Sequence, residues 1–130
     1  MGLDLISRSA VDAAKQAIAG LADLPPDELI AALNEIKLEM HKISPMAREP
    51  VDCVIWVPAE NIRGNDYNPN AVAAPEMDLL KLSIMADGYT QPIVAWPAEH
   101  GYEVVDGFHR HRVGKEVAAV SKRVRGHLPI

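Results

Sequence analysis

The run Tyr102-Glu103-Val104-Val105-Asp106-Gly107-Phe108-His109-Arg110-His111-Arg112 decides how the second half of this chain is read. Tyr102 to Val105 is β-branched and aromatic, the signature of a strand. Asp106-Gly107 is a tight-turn pair, Asp bonding locally to backbone and Gly allowing a positive φ. From His109 to about Val120 the pattern is helical. A strand that turns sharply into a helix start is suited to anions: the first N–H groups of a helix have no intrahelical acceptor, and the helix dipole adds positive potential there. Gly107 removes the Cβ that would block a phosphate, Arg110 and Arg112 bring planar, permanently charged forks, and His109 adds a titratable donor. A purely structural reading explains the same corner, with Asp106 as helix N-cap or turn former.

Upstream, Gly88-Tyr89-Thr90-Gln91-Pro92-Ile93 leads into a strand over Pro92–Trp96, and Glu99-His100-Gly101 makes the turn to the next. Gly88 is the stop of a third helix that opens at Pro75-Glu76 and carries Met77, Leu80 and Ile84 on one face. Val51 to Val57 reads as a first strand closed by Pro58, and Asn61 to Asn70 as a polar loop. His127-Leu128-Pro129-Ile130 reads as a last strand. Before residue 46 the period is helical. Val11, Ala14, Ile18 and Leu21 form one stripe, with Ser9 as expected N-cap and Asp12 completing an approximate capping box. Pro25-Pro26 breaks it, and Leu29, Leu33, Ile36, Met40 and Ile43 form a short heptad seam ended by Ser44-Pro45. Residues 1–45 are therefore expected as a helical hairpin and 51–130 as an α+β domain, with Met46–Pro50 as linker.

The 130 residues are 48% hydrophobic and 24% charged, with only 5% aromatic, so an aliphatic core of ordinary globular size is expected. No apolar run is long enough for a membrane helix, and Met1-Gly2-Leu3-Asp4 does not open like a signal segment. The single Cys53 excludes an internal disulfide and suits a reducing cytoplasm, the expected location. Net charge is −5, but residues 106–130 hold six Lys/Arg against two Asp/Glu while residues 1–105 hold seven against sixteen. That asymmetry is consistent with a local anion site, or with Lys122, Arg123 and Arg125 on a solvated loop, and not with a broad nucleic-acid footprint. His109 and His111 do not make a zinc pair, because neighbours two apart at a helix start face different sides, and no metal site is expected. Trp56 and Trp96 are expected in core or rim packing; Tyr67 and Tyr89, on loops, are better placed to stack on a base.

The order of these segments resembles the ParB/sulfiredoxin superfamily, the ParB-like nuclease domain. Gly88, Gln91, Pro92 and Ile93 match its G-x-x-Q-P-I segment. Gly107, Arg110 and Arg112 match the partition-protein box G-E-R-R-x-R, while Gly107, His109 and Arg110 match the sulfiredoxin G-G-C-H-R. The D-G-x-H-R form looks like that of serine kinases with this fold. Glu49 to Glu116, including Asn65-Asp66-Tyr67-Asn68-Pro69-Asn70, most resembles prophage gene co-activators of the immunoglobulin-binding regulator kind (IbrB). Where sulfiredoxin has its catalytic cysteine this chain has Phe108, so sulfinate repair is not expected. Asn70 stands where partition proteins carry an Arg, the family's Glu-Asn-x-x-R segment would fall beyond Ile130, and no helix-turn-helix follows.

The resemblance implies a mixed sheet with helices and a nucleotide site at Gly88, Gln91, Pro92, Gly107, Phe108, His109, Arg110 and Arg112. The ligand would be ATP or CTP, with Mg2+ carried in on the nucleotide. It also implies a regulatory role in prophage or mobile-element gene expression beside a phosphoadenosine-phosphosulfate-reductase-like partner (IbrA). Apart from the resemblance, the two apolar stripes of the N-terminal helices suit self-association as a homodimer or packing onto the domain. The second expectation is a phosphotransferase or nucleotide hydrolase, with Asp106 or Glu60 as base and His109 and Arg110 stabilising the transferred charge. A DNA nuclease is third, and net charge opposes it.

Overall fold

The structure, a computed structural model, describes residues 2–64 and 74–130. Asn65 to Asn70, with Tyr67, lies outside the described residues. The protein has an α+β fold. Its helices are α1 (Leu5–Ala19), α2 (Pro26–Ile43), α3 (Ala74–Asp87), α4 (Phe108–Glu116) and α5 (Ala118–Arg123); its strands are β1 (Trp56–Pro58), β2 (Ile62–Arg63), β3 (Val94–Ala98), β4 (Gly101–Asp106) and β5 (His127–Pro129).

The strands form two small sheets. β1 pairs antiparallel with β5, and the order β2-β4-β3 makes a mixed sheet in which β2 is parallel and β3 antiparallel to β4. Ile55 and Ile130 exchange both backbone hydrogen bonds at 2.9 Å and lengthen the first ladder. The Ile93 N–H donates to the Pro129 carbonyl at 2.8 Å, tying the segment before β3 to β5. A core of Val57, Ile62, Ile93, Val104 and Leu128 fills the strand side, and Met77, Ile84, Val113 and Val120 pack under the helices. Tyr89 packs against both clusters. Burying these aliphatic side chains contributes about 1.5–3 kcal/mol each.

Several expectations need correcting. The cap of α1 is Asp4, whose Oδ1 accepts from the Ser7 N–H at 2.7 Å, and Ser9 lies inside the helix. Asp4 and Ser9 are both competent caps, and the longer helix uses the earlier one. Val51 to Cys53 is not a strand: Pro50 starts a 3-10 turn over Pro50–Asp52, as its fixed φ favours, and β1 begins only at Trp56. The expected fourth helix breaks at Val117, whose extended backbone (ψ 106°) separates α4 from α5. β2 was not anticipated, because two residues give no periodicity to read.

The N-terminal helices differ from the rest: neither α1 nor α2 has a buried residue. Of the heptad seam, Leu29, Leu33 and Ile36 are half-buried, whereas Met40 and Ile43 are exposed. Asn34 ties α2 to β1, its Nδ2 donating to the Trp56 carbonyl at 2.6 Å and its Oδ1 accepting from the Trp56 N–H at 3.1 Å. His41 Nδ1 meets Asp52 Oδ2 at 2.7 Å, and Arg125 meets Asp27 at 3.6 Å. No helix among the described residues is long and apolar enough to cross a membrane.

Candidate functional site

The corner after β4 has the form its sequence demands. Gly107 sits at φ 91°, a left-handed conformation that side-chain-bearing residues rarely adopt, and serves as N-cap of α4. The Gly107 N–H donates to Asp106 Oδ1 at 2.9 Å, while the Gly107 carbonyl accepts from the His111 N–H at 2.9 Å. Helix geometry leaves the N–H groups of Phe108, His109 and Arg110 without intrahelical acceptors. Phe108 turns its ring into the strand-side core, so its main chain is what it offers to a ligand.

Arg110 folds back over this corner. A Cβ built on Gly107 would lie 3.0 Å from Arg110 Nη2 and 3.2 Å from Nε, so the glycine makes room for the guanidinium itself. Arg110 Nη1 donates to Gln91 Oε1 at 3.2 Å, while its buried Nε has no partner among the described residues. His109 Nδ1 is likewise buried without a partner. Buried polar atoms without partners are uncommon in folded proteins and call for a reason such as a ligand.

The Gly88–Ile93 segment holds the corner in place, residue by residue. Gly88 (φ 77°) ends α3, its N–H donating to the Ile84 carbonyl at 2.9 Å. The Tyr89 hydroxyl donates to the Arg110 carbonyl at 2.9 Å, and its ring meets Trp56 edge-on at 6.2 Å between centroids. Burial pushes the Tyr89 phenol up to about 12, so it stays a donor at neutral pH. Tyr89 is thus a brace between two cores and α4 and not a stacking platform. Gln91 steers Arg110. Pro92 lines a cleft of about 770 Å3 together with Gln91, Asp106 and Arg110.

Other candidate residues lie elsewhere. Arg112 is exposed and pairs with Glu116, Nε to Oε1 at 3.4 Å and Nη2 to Oε2 at 3.3 Å. Glu60, on a 3-10 turn over Ala59–Asn61, lines a separate cleft of about 450 Å3 with Asp27 and Arg125 and does not line the one holding Arg110. His111 is 7% exposed, with Nε2 3.3 Å from the Ile62 carbonyl. Burial lowers its pKa, and the Ile62 carbonyl only partly opposes that, so the ring is held neutral. Trp96, expected in packing, is 70% exposed on β3.

Two residues that the sequence reading did not assign hold the frame. Arg123 donates from Nη1 to the Met85 carbonyl (2.8 Å) and from Nη2 to the Ile84 carbonyl (2.6 Å), capping the C-terminus of α3. Its charge is therefore occupied by a helix end and does not belong to the anion corner. Gly114 lets α4 approach β5: a Cβ there would collide with Leu128 and the Tyr89 hydroxyl. Its spacing was the available signal, since Gly107, His111 and Gly114 recur at four and three on one helical face.

Residues 40–125 match the family described as the ParB N-terminal domain. The chain belongs to that family. Among curated proteins it is similar to the uncharacterized protein YbdM of Escherichia coli (strain K12), 50% identical over 111 residues, which covers 85% of this chain and 53% of YbdM. The chain thus spans about half the length of the curated relative it matches. Among solved structures it is similar to the C-terminally truncated chromosome-partitioning protein ParB from Caulobacter crescentus complexed with CTP-gamma-S. That likeness has a TM-score of 0.47 and 24% identity, and it covers 59% of this chain and 42% of the other. The resemblance read from sequence is borne out at the level of the partition-protein family, whereas the finer likeness to IbrB has no counterpart in these matches.

Proposed function

We propose that this chain is a nucleotide-binding regulatory protein that takes the phosphates of ATP or CTP at the start of α4. One observation carries the reading: Arg110 lies over the positive-φ Gly107 and lines the 770 Å3 cleft, with a buried Nε that has no partner among the described residues. Phosphate oxygens would take the free N–H groups of α4 and the guanidinium fork together. Gln91 would orient that fork, Pro92 would shape the cleft, and Gly88 would act only through the bend that presents them. His109 Nδ1 adds a second donor or acceptor that has no partner among the described residues. Mg2+ would enter on the nucleotide, with Asp106 as its nearest carboxylate in the corner.

A second reading, phosphoryl transfer or nucleotide hydrolysis, is favoured by the unpartnered His109 nitrogen beside Arg110. It retains Asp106 as base and drops Glu60, which lines a different cleft. A role in prophage or mobile-element gene expression, beside an IbrA-type partner, rests on the sequence resemblance. Self-association through the hairpin rests instead on its apolar seam, of which exposed Met40 and Ile43 offer the surface; sedimentation at two concentrations checks it. Titrating ATP, ADP, CTP and GTP with Mg2+ and then assaying for released phosphate separates the readings. Binding of at least one triphosphate is expected. Binding of none at millimolar concentration overturns the proposal, and stoichiometric binding without phosphate release favours the regulatory form.

A further inference from the structure

The cleft that reaches Arg110 does not belong to the α4 corner alone. Its lining includes Leu38 and His41 of α2, and most of the rest is aliphatic, including Val54, Pro92 and Ala95. The family match begins at residue 40, so Leu38 lies outside it. Asn34 anchors α2 on the Trp56 backbone, and His41 is fixed by Asp52 at 2.7 Å, which puts this part of the helix in a defined place. Asp52 is held below its ordinary value, first by the hydrogen bond from His41, so its carboxylate is a firm acceptor. With Nδ1 against that carboxylate, Nε2 is the ring nitrogen left to meet a ligand. Leu38 remains 44% exposed although it lines a cleft.

We infer that α2 is part of the ligand site: Leu38 packs against the nucleoside of the bound nucleotide, and His41, oriented by Asp52, shares a hydrogen bond with it. This inference rests on the phosphate reading of the Arg110 corner and extends it to the α2 wall of the same cleft. Charge is confined to a few lining residues, and the volume is in the range of sites that enclose a small ligand. A ligand with an anionic end for Arg110 and a flat, mostly apolar body with a polar edge fits that lining. A bare polyphosphate would leave the α2 wall untouched.

The test compares CTP with inorganic tripolyphosphate on the full chain, using Leu38→Asn and His41→Phe, both checked for wild-type melting. Affinity for CTP should fall at least about fivefold in each variant while affinity for tripolyphosphate stays within about twofold. Equal losses for both ligands, or no loss for either, overturn the inference and leave the phosphate reading standing. Equal affinity of the wild type for CTP and tripolyphosphate does the same, since the nucleoside would then contribute nothing. A wild type that binds neither ligand overturns the phosphate reading and this inference with it.

Discussion

The α4 corner and the N-terminal hairpin are held by different physics. Around α4, Val113, Val120 and Leu128 are at most 1% exposed, and His111, Tyr89 and Gly114 lock the helix to β2, the segment after α3 and β5. The hairpin has no buried residue and is attached through Asn34, His41 and Asp27. Close packing makes the corner intolerant of volume changes and able to hold Arg110 in one orientation. Polar tethers stabilise less, because each replaces a bond to water. The difference puts the proposed phosphate corner on close packing and the proposed α2 wall on a few polar tethers.

The largest break in that comparison should come from Gly114→Val. A branched side chain there meets Leu128 and the Tyr89 hydroxyl, so we expect a loss of about 3 kcal/mol or more, read as a fall in melting temperature. A variant with wild-type melting would show that α4 is not tightly seated. Asn34→Ala should cost about 2 kcal/mol by leaving the Trp56 N–H and carbonyl without partners. Its effect should be local: hydrogen exchange should rise in α2 and at Trp56 and stay slow in α4. A uniform rise would mean that the hairpin is integral to the domain core.

The third contrast is one of pH. The folded-state pKa of His111 lies below its ordinary 6.5, so the unfolded chain binds more protons on acidification. Stability from this residue is full above about pH 6.5 and falls as pH drops from there toward the folded pKa. Asp52 on the hairpin tether is depressed below 3.8, so its contribution is kept until pH falls below that value. Denaturant melts from pH 7 to 5 should therefore show a slope that His111→Gln flattens. An unchanged slope would place the titration elsewhere.

Legibility followed the same division. The corner could be read because Asp106-Gly107 and the following helix start are local chemistry, and their conformation depends on few distant contacts. What escaped was tertiary. The burial of His111 depends on β2, a strand of two residues, and Arg123 became a helix cap only because α5 lies against the end of α3. Arg110 and Arg112 looked equivalent in sequence, yet one turns back over Gly107 and the other joins Glu116. Val51 to Cys53 had strand composition, but Pro50 redirected it into a turn.

That inequality between the two arginines offers the most direct test of the central claim. Isothermal titration with CTP and with ATP should be run on the wild type, Arg110→Ala and Arg112→Ala, each shown to be folded. A charge-assisted bond from a guanidinium is worth about 1.5–3 kcal/mol, so Arg110→Ala should weaken binding by roughly tenfold to a hundredfold. Arg112→Ala should change it by no more than about threefold, since that charge sits on an exposed pair with Glu116. Unchanged affinity in Arg110→Ala, or a larger loss in Arg112→Ala, would contradict the assignment of the site to the Gly107–Arg110 corner.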